Sequence, residues 1–293
     1  MKHLAKLLIV LLFAFFSCSQ QGEEAWEGKE PPLKPNTHIF GVSLSQESTE
    51  TFAELGINEV AVYAYLKDSL VFGKSLPLNN GNLKVELPLG EKLQTFCIAN
   101  AGQMIDTDSL SKVMVKMNTD MKNEVYLSDI VDFVSDNSVS NLSIELKRLV
   151  GQAVFQPKET TEVLNEVTHF DQLNLTFTNV GVAYKIKSGE CIQQDVNIKV
   201  GLSQGFSANI YSLPTSKADS RTSIDVVYLK NDVEINRTNS PLDTSIAFEP
   251  SKRSIVYMPI LDDNYLENSW LRTRSLKTFQ NLKLPFTIEE SEF

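Results

Sequence analysis

The sequence predicts an all-β protein made of two antiparallel β-sandwich domains in tandem. Apolar residues alternate with polar ones in short runs along most of the chain, tight-turn sequences separate these runs, and helical signals are few. Short strands at roughly regular spacing are typical of β-sandwiches, whereas a parallel sheet needs helices between its strands. The composition agrees, because 42% of the 293 residues are hydrophobic, which is enough to form real cores.

The first segment of the chain has the pattern of a secretion signal. Two lysines, Lys2 and Lys6, precede an unbroken apolar run over residues 7–16. This run is too short to cross a ~30 Å hydrocarbon core as a helix, but it fits the apolar region of a signal peptide. Residues 15–18, Phe-Phe-Ser-Cys, resemble a bacterial lipobox, in which the signal is removed in front of an acylated cysteine. We therefore expect residues 1–17 to be a signal peptide and Cys18 to carry lipid; the alternative is an ordinary signal with an incidental cysteine.

Residues 18–36 have the composition of an extended, lipidated tether. They contain three prolines, two glycines and four glutamates. Each acyl methylene buried in a membrane contributes roughly 0.8 kcal/mol, so several acyl chains hold a protein firmly. Acidic residues directly after a lipidated cysteine also resemble the surface-export signal of Bacteroidetes lipoproteins. The predicted location is the cell outer membrane, with the protein displayed at the surface.

The net charge argues against a nucleic-acid partner, and the spacing of the cysteines argues against a disulfide. The formal net charge is −10, and loss of Lys2 and Lys6 with the signal moves it to −12. A chain this acidic, without a basic stripe, does not hold nucleic acid through phosphate contacts. Cys97 and Cys191 lie far apart in sequence, so we expect two small buried side chains rather than a disulfide.

Residues 37–157 are predicted to form the N-terminal sandwich. Alternating runs occur at residues 60–65, 83–87, 95–99 and 144–150. Asn79-Asn80-Gly81 predicts a hairpin, because Asn-Gly tolerates positive φ at both central positions of a tight turn. Asp108-Ser109 is a candidate cap for a short helix. That helix would carry Leu110, Val113, Met114 and Met117.

Residues 158–293 are predicted to form the C-terminal sandwich, after a polar break at residues 156–160. The alternating pattern resumes at residues 173–177 and 196–200. Lys230-Asn231-Asp232 is a second tight-turn candidate between two apolar runs, and residues 255–261 form a further run. Residues 160–170 are expected to form a short helix or a turn.

The sequence predicts no enzyme and no catalytic, metal or cofactor site. Residues 201–205 match G-x-S-x-G, but in the nucleophile elbow the histidine base follows the serine. All histidines of this chain precede it: His3, His38 and His169. No C-x-x-C or H-x-x-x-H motif occurs, and Asp106-Thr-Asp108 lacks the glycine and distal glutamate of a calcium loop. We expect His38 and His169 to be surface or structural residues.

Three segments, in this order after a lipobox, resemble one known family. They are residues 59–65 (EVAVYAY), 87–100 (LPLGEKLQTFCIAN) and 142–150 (LSIELKRLV). The second is similar to the LPPGxYxFxxxxN strand, and the third to the VxLKRxVAKV strand, of the fimbrial anchor and accessory lipoproteins of Bacteroidetes. These are FimB-like relatives of the fimbrillins that build type V pili. The resemblance implies two transthyretin-like β-sandwiches, no catalysis, and assembly by strand exchange with other fimbrial subunits.

The resemblance also implies an anchor rather than a polymerising subunit. Family members that polymerise lose an N-terminal strand by cleavage after arginine. The first arginine here is Arg148, beyond the tether and most of the first domain, and only Lys29 and Lys34 are available to a looser protease. The chain is therefore expected to keep its N-terminal strand and to stay attached to the outer membrane through its lipid.

The C-terminal segment contains a candidate donor strand. Its apolar residues alternate strictly with other residues: Leu282, Leu284, Phe286 and Ile288. Pro285 cannot donate a ladder hydrogen bond, so this strand belongs at an edge or is added to another sheet. The alternative is that it is simply the last strand of the second sandwich.

Two further hypotheses concern glycans. A surface glycan-binding β-sandwich lipoprotein is the alternative function, but it needs an exposed aromatic platform, and Trp26 and Trp270 are the only tryptophans. Separately, Asp68-Ser69-Leu70 and Asp108-Ser109-Leu110 resemble the Asp-Ser/Thr-apolar signal for O-glycosylation in Bacteroidetes. This predicts modification of Ser69 or Ser109; the alternative is two ordinary turns.

Overall fold

The structure is a computed structural model that describes residues 35–45, 50–136, 141–157, 172–201, 207–215, 223–239, 246–258 and 287–292. The chain separates into two compact units, Met1–Lys34 and Pro35–Phe293, and all described residues belong to the second. The described residues form eighteen β-strands and no helix. The predicted all-β class is confirmed.

The first ten strands are β1 (Pro35–Leu44), β2 (Glu59–Leu66), β3 (Ser69–Pro77), β4 (Asn82–Pro88), β5 (Lys92–Ala99), β6 (Gln103–Ile105), β7 (Met114–Lys116), β8 (Tyr126–Ser128), β9 (Val131–Val134) and β10 (Asn141–Arg148). The other eight are β11 (Gly151–Pro157), β12 (Gln172–Lys185), β13 (Cys191–Gly201), β14 (Ala208–Ser212), β15 (Ser223–Lys230), β16 (Val233–Asn239), β17 (Lys252–Met258) and β18 (Thr287–Glu292).

The first sheet has the order β3-β2-β5-β8-β10-β1-β4, with β9 beside β5. β1 pairs in parallel with β10 and antiparallel with β4, while the other pairs are antiparallel. Its core is built by alternation, as β4 illustrates: Leu83, Val85 and Leu87 are buried, and Lys84 and Glu86 are exposed. The period-two pattern therefore predicts correctly which side chains enter this core.

Two smaller sheets contain most of the later strands. One has the order β14-β11-β17-β18, and the other has the order β16-β15-β12-β7-β6 with β13 beside β12. The long strand β12 continues past its pairing with β15 and reaches the β6–β7 hairpin. The second turn prediction is confirmed, because Asn231 and Asp232 both have positive φ and connect the paired strands β15 and β16.

The same set of strand pairings occurs twice along the chain. In the first set β2 pairs with β3 and β5, β5 with β9, and β1 with β4 and, in parallel, with β10. In the second set β12 pairs with β13 and β15, β15 with β16, and β11 with β14 and, in parallel, with β17. β8 lies beside β10 as β18 lies beside β17. This correspondence between the two sets of strands supports the predicted arrangement of two domains in tandem.

The position of β11 bears on the predicted boundary. The division into residues 37–157 and 158–293 assigns β11 to the first domain, whereas its partners are β14 and β17. Only Leu149 and Val150 separate β10 from β11, and both are buried. Since Pro35–Phe293 is one compact unit, the tandem division and its boundary stay predictions.

Two local predictions for the first half are corrected. The helix at residues 108–117 does not form; turns lead into β7, and Leu110, Val113 and Met117 are buried through tertiary packing rather than on one helix face. The Asn80–Gly81 turn forms, with φ of 49° and 75°. However, its flanking strands separate after one bridge between Asn79 and Asn82, because β3 pairs with β2 and β4 with β1.

Candidate site of strand exchange

The N-terminal strand β1 occupies a central position between β4 and β10. Its inward side chains His38, Phe40 and Val42 are buried, with relative exposures of 0%, 0% and 6%. The sequence of the strand explains this position, because inward residues alternate with Thr37 and Ser43, which are exposed. Full burial of a side chain such as phenylalanine or valine contributes roughly 1.5–3 kcal/mol.

Two ladders hold the backbone of β1. The parallel ladder to β10 joins six residue pairs, from Ile39 with Asn141 to Leu44 with Leu146. The antiparallel ladder to β4 joins seven pairs, from Pro35 with Pro88 to Gly41 with Asn82. Removal of β1 would leave β4 and β10 each without this backbone partner, with an apolar groove between them. We call the place that β1 fills the β1 groove.

Polar contacts fix the first residues of β1. The Asn36 side-chain amide donates to the Asp136 carbonyl oxygen at 2.7 Å. His38 Nε2 and Ser135 Oγ form a buried hydrogen bond of 2.8 Å, and the His38 ring meets the edge of Phe133 at a centroid distance of 4.9 Å. Burial lowers the pKa of His38, and the nearby Asp136 charge partly opposes this shift. His38 is a structural residue, as expected.

The pKa of His38 makes the stability of β1 pH-dependent. Between the lowered folded pKa and 6.5, the unfolded chain binds more protons at this position than the folded chain. The His38 contribution to the unfolding free energy is therefore complete above pH 6.5 and is lost as the pH falls. We expect His38→Gln to lose less stability than the wild type between pH 7.5 and pH 5 in chemical denaturation. Equal losses in the two proteins would contradict this assignment.

A second set of polar contacts follows the end of β1. The Ser45 amide donates to the Leu146 carbonyl at 2.9 Å. Glu50 forms an ion pair with Arg148 at 2.9 Å, and only 5% of the Arg148 side chain is exposed. Ser45 and Glu50, which precede and follow residues 46–49, are thus both bonded to β10, the parallel neighbour of β1.

Arg148 also begins a polar network that links the two sets of strands. It donates to the Tyr126 hydroxyl through Nε and to Glu124 through Nη2, both at 3.0 Å. The Tyr211 hydroxyl donates to the other Glu124 oxygen at 2.5 Å, and Gln152 Nε2 donates to the Tyr211 hydroxyl at 3.0 Å. Burial raises the pKa of both tyrosines, so both hydroxyls remain protonated donors. We call these contacts the junction network.

An apolar cluster shares Tyr211 with the junction network. It includes Tyr65, Phe96 and Ile98 from β2 and β5, together with Leu149 and Val150. Residues of the second set of strands belong to the same cluster: Ile186, Cys191, Tyr211 and Leu213. Strands before and after Val150 therefore contribute to one shared apolar cluster.

Most of the predicted functional residues lie outside the described residues: Cys18, Leu282, Leu284 and Phe286. The backbone of Ile288 lies in β18, opposite Val256 of β17. Residues 287–292 thus form an edge strand on the chain's own sheet, and this strand includes three glutamates. The donor role of residues 282–288 stays a prediction.

The two Asp-Ser-Leu motifs lie beside each other. Ser69 and Ser109 form an isolated bridge, and the Asp68 carboxylate accepts hydrogen bonds from Ser109 Oγ at 2.5 Å and from Ser111 Oγ at 2.9 Å. These hydrogen bonds, that from Ser109 above all, lower the pKa of Asp68. The Ser109 hydroxyl is therefore engaged, whereas Ser69 is exposed. If O-glycosylation occurs here, Ser69 is the expected acceptor.

The described residues were compared with two kinds of reactive site, a serine–histidine pair and a metal centre. His38 and Ser135 resemble a serine–histidine pair, but both are 0% exposed, so no substrate can reach the hydroxyl. No group of three or more His, Cys, Asp or Glu side chains that could hold a metal occurs in this part of the chain. Nor does it include a helix that could span a membrane. Cys97 and Cys191 are buried and free, as predicted.

Comparisons with known proteins show what this fold is similar to. No family model matches the chain, and no curated protein matches it. A candidate adhesin from Bacteroides ovatus matches with 14% identity and a TM-score of 0.50 over 77% of this chain and 90% of its own. A candidate polysaccharide-binding protein from Bacteroides thetaiotaomicron matches with 12% identity and a TM-score of 0.51, over 76% and 92%. A candidate cell adhesion protein from Bacteroides uniformis matches with 8% identity and a TM-score of 0.51, over 87% and 96%. The predicted resemblance is confirmed at the level of the fold.

Proposed function

We propose that the chain is a surface adhesion protein, the anchor or an accessory subunit of a fimbria. The observation that carries this proposal is the central position of the N-terminal strand β1 between β4 and β10. Two of the matched structures are described as a candidate adhesin and a candidate cell adhesion protein, and none of the three is described as an enzyme. In this role the chain binds other fimbrial subunits and catalyses no reaction.

The anchor role follows from the covalent order of the segments. The proposed lipid at Cys18 and the tether directly precede β1, which begins at Pro35. A cut between the tether and β1, or removal of β1, would detach the body from the membrane. An anchor must therefore keep β1, and the contacts of His38 and Glu50 favour its retention.

Lipidation of Cys18 is tested by its replacement. We expect Cys18→Ala to abolish labelling with radioactive palmitate and to release the protein from the outer membrane, because no other attachment site is proposed. Cys97→Ala is the control and should leave labelling unchanged, since that thiol is buried. Undiminished labelling of the Cys18 variant would refute the lipid anchor.

In the proposed strand exchange, the C-terminal segment supplies the strand that is donated to a neighbouring subunit. A strand from residues 282–288 would enter the β1 groove of the adjoining subunit, where main-chain hydrogen bonds and alternate side-chain pockets supply affinity. In the anchor itself the groove stays filled by its own β1. The anchor thus donates a strand and accepts none.

A covalent lock on β1 tests this division of roles. Thr37 and Glu86 are exposed partners across the β1–β4 ladder, so Thr37→Cys with Glu86→Cys places two thiols at disulfide-compatible positions. We expect the locked protein to co-purify with its fimbrial subunits as the wild type does. We expect Leu284→Asp with Phe286→Asp to lose them while remaining membrane-bound. Loss of subunits upon locking, restored by a reductant, would instead show that β1 is exchanged.

Glycan binding remains the second candidate, and one comparison favours it. The matched protein of Bacteroides thetaiotaomicron is described as a candidate polysaccharide-binding protein. Against it, the exposed large hydrophobic residues of the described part are Val134 and Val233, neither of which is aromatic. No aromatic side chain of that part is therefore fully exposed, which does not favour a stacking platform there.

A further inference from the structure

The outer face of the β4–β1–β10 sheet carries a depression of about 580 Å³. Gly41 of β1 forms its floor and Ile39 supplies an apolar wall. Leu142 contributes its backbone carbonyl beside Gly41, since its side chain packs on the other face of the sheet with Phe40. This volume lies within the range of roughly 300–1,000 Å³ that is typical of small-molecule sites. The depression lies on the opposite face of β1 from Phe40 and Val42, so it is distinct from the β1 groove.

The glycine on the floor is not required by the fold. Gly41 pairs with Asn82 on one side and Ser143 on the other, in the middle of a sheet. A Cβ at this position would meet only Asn82 Oδ1 and the Leu142 carbonyl oxygen, both at 3.9 Å, which is ordinary contact. Gly41 is not among the positive-φ glycines. A glycine inside a strand weakens it and often marks a place where a ligand approaches the backbone closely.

The rim on one side is a rigid turn. The Asn79 and Asn82 backbones exchange two hydrogen bonds of 3.1 and 2.9 Å, and the Val42 amide of β1 donates to the Gly81 carbonyl at 2.6 Å. The Asn82 side chain donates to the Asn80 carbonyl at 3.1 Å, which leaves its Oδ1 facing the space above Gly41. The turn is therefore fixed directly to the strand that forms the floor.

The other polar groups of the lining are available to a ligand. Among the described residues, the side chains of Asn79, Lys84 and Ser143 have no hydrogen-bond or ion-pair partner. Lys84 is the only charged residue of the lining. Glu86 and Glu145 lie two residues beyond Lys84 and Ser143 on the same outer face and are not part of the lining. The site thus presents one positive charge, two amides and a hydroxyl.

We propose that this depression binds an acidic saccharide unit, with its carboxylate at Lys84 and its hydroxyls at Asn79, Asn82 and Ser143. Amide and hydroxyl side chains exchange hydrogen bonds with sugar hydroxyls as both donors and acceptors. The bare backbone at Gly41 lets the ring lie against the sheet without an aromatic platform. The site goes beyond the proposed anchor role and does not depend on strand exchange.

Calorimetric titration of the purified full chain tests this site with three probes: glucuronic acid, glucose, and an N-acetylated Glu-Glu dipeptide. We expect glucuronic acid to bind at least tenfold more tightly than glucose, because only the acid uses Lys84. Lys84→Ala should reduce its affinity to that of glucose. Lys112→Ala is the control, an exposed lysine away from the depression, and should change nothing.

Filling the floor is the second test. Gly41→Val should abolish binding of glucuronic acid while the thermal midpoint stays equal to or above that of the wild type, since valine suits a strand interior. If that variant is less stable, Gly41→Ala, whose methyl group has room, should still weaken binding. The proposal would be overturned if glucuronic acid did not bind, or if it bound no more tightly than glucose. Equal losses of affinity for glucuronic acid in Lys84→Ala and Lys112→Ala would also overturn it. Tighter binding of the dipeptide would assign the site to an acidic peptide instead.

Discussion

Gly181→Ala is expected to destabilise the protein by about 3 kcal/mol, because overpacking against backbone cannot be relieved by a side-chain movement. Gly181 lies where β12 passes the end of β14, and its amide and carbonyl bond to Ser212 and Leu213. A Cβ there would overlap the Leu213 carbonyl oxygen and come within 2.7 Å of Cys191 Sγ. At this chain length we expect the thermal midpoint to fall by roughly 6–12 °C.

Gly201→Ala is the matched control for that experiment. It lies at the end of β13, and a Cβ there would meet nothing within 4 Å. Its thermal midpoint should stay within about 2 °C of the wild type. If Gly181→Ala had the same thermal midpoint as Gly201→Ala, β12 and β14 would not be in close contact.

Arg148→Met is expected to cost about 3 kcal/mol, because it leaves the Glu124 carboxylate of the junction network without its cation. The Arg148 side chain is 5% exposed and that of Glu124 is 24% exposed, so water compensates poorly for the loss. Denaturant unfolding should report the change as a lower midpoint. Residues before and after Val150 contribute to one shared apolar cluster, so the transition should remain single.

The neighbouring residue Lys147 supplies the control. Its ion pair with Asp129 is comparably short at 2.7 Å, but Lys147 is 49% exposed and Asp129 is 76% exposed. Exposed pairs contribute roughly 0–1 kcal/mol, so Lys147→Met should have a small effect. Similar losses of unfolding free energy in Arg148→Met and Lys147→Met would mean that burial does not make one ion pair more important than the other.

Alternation along the sequence predicted several of the longer strands and, in β4, the buried face. Leu83, Val85 and Leu87 point inward and Lys84 outward because successive side chains of a strand alternate between faces. The Asn231–Asp232 turn was also predictable, since few residues other than glycine, asparagine and aspartate adopt positive φ readily. These are local properties, which a single sequence contains.

Strand neighbours could not be predicted in the same way. Nothing in residues 35–44 indicates that β1 lies parallel to β10, because alternation specifies a face and not a partner. The spacing of Leu110, Val113 and Met117 fits a helix, yet these residues are buried in a core that the distant strand β12 helps to close. The Glu50–Arg148 pair likewise joins residues that no local pattern connects.

The candidate sites differ in whether the sequence alone can predict them, for the same reason. The lipid site at Cys18 stays a prediction, which a sequence can make because a lipobox is a linear motif. The depression over Gly41 exists only after β4, β1 and β10 are side by side. The sequence patterns did not single out Gly41. Its significance depends on the neighbours of the missing Cβ, the nearest of which are 3.9 Å away, and only the fold defines these.

The position of β1 also determines how the protein carries load. In the proposed anchor, a pull on the lipid would enter this part of the chain at Pro35, the first residue of β1. The six pairs with β10 and the seven pairs with β4 are then strained together in shear, rather than broken one after another as in the peeling of an edge strand. In that proposed role, tension at Pro35 would thus be distributed over two ladders at once.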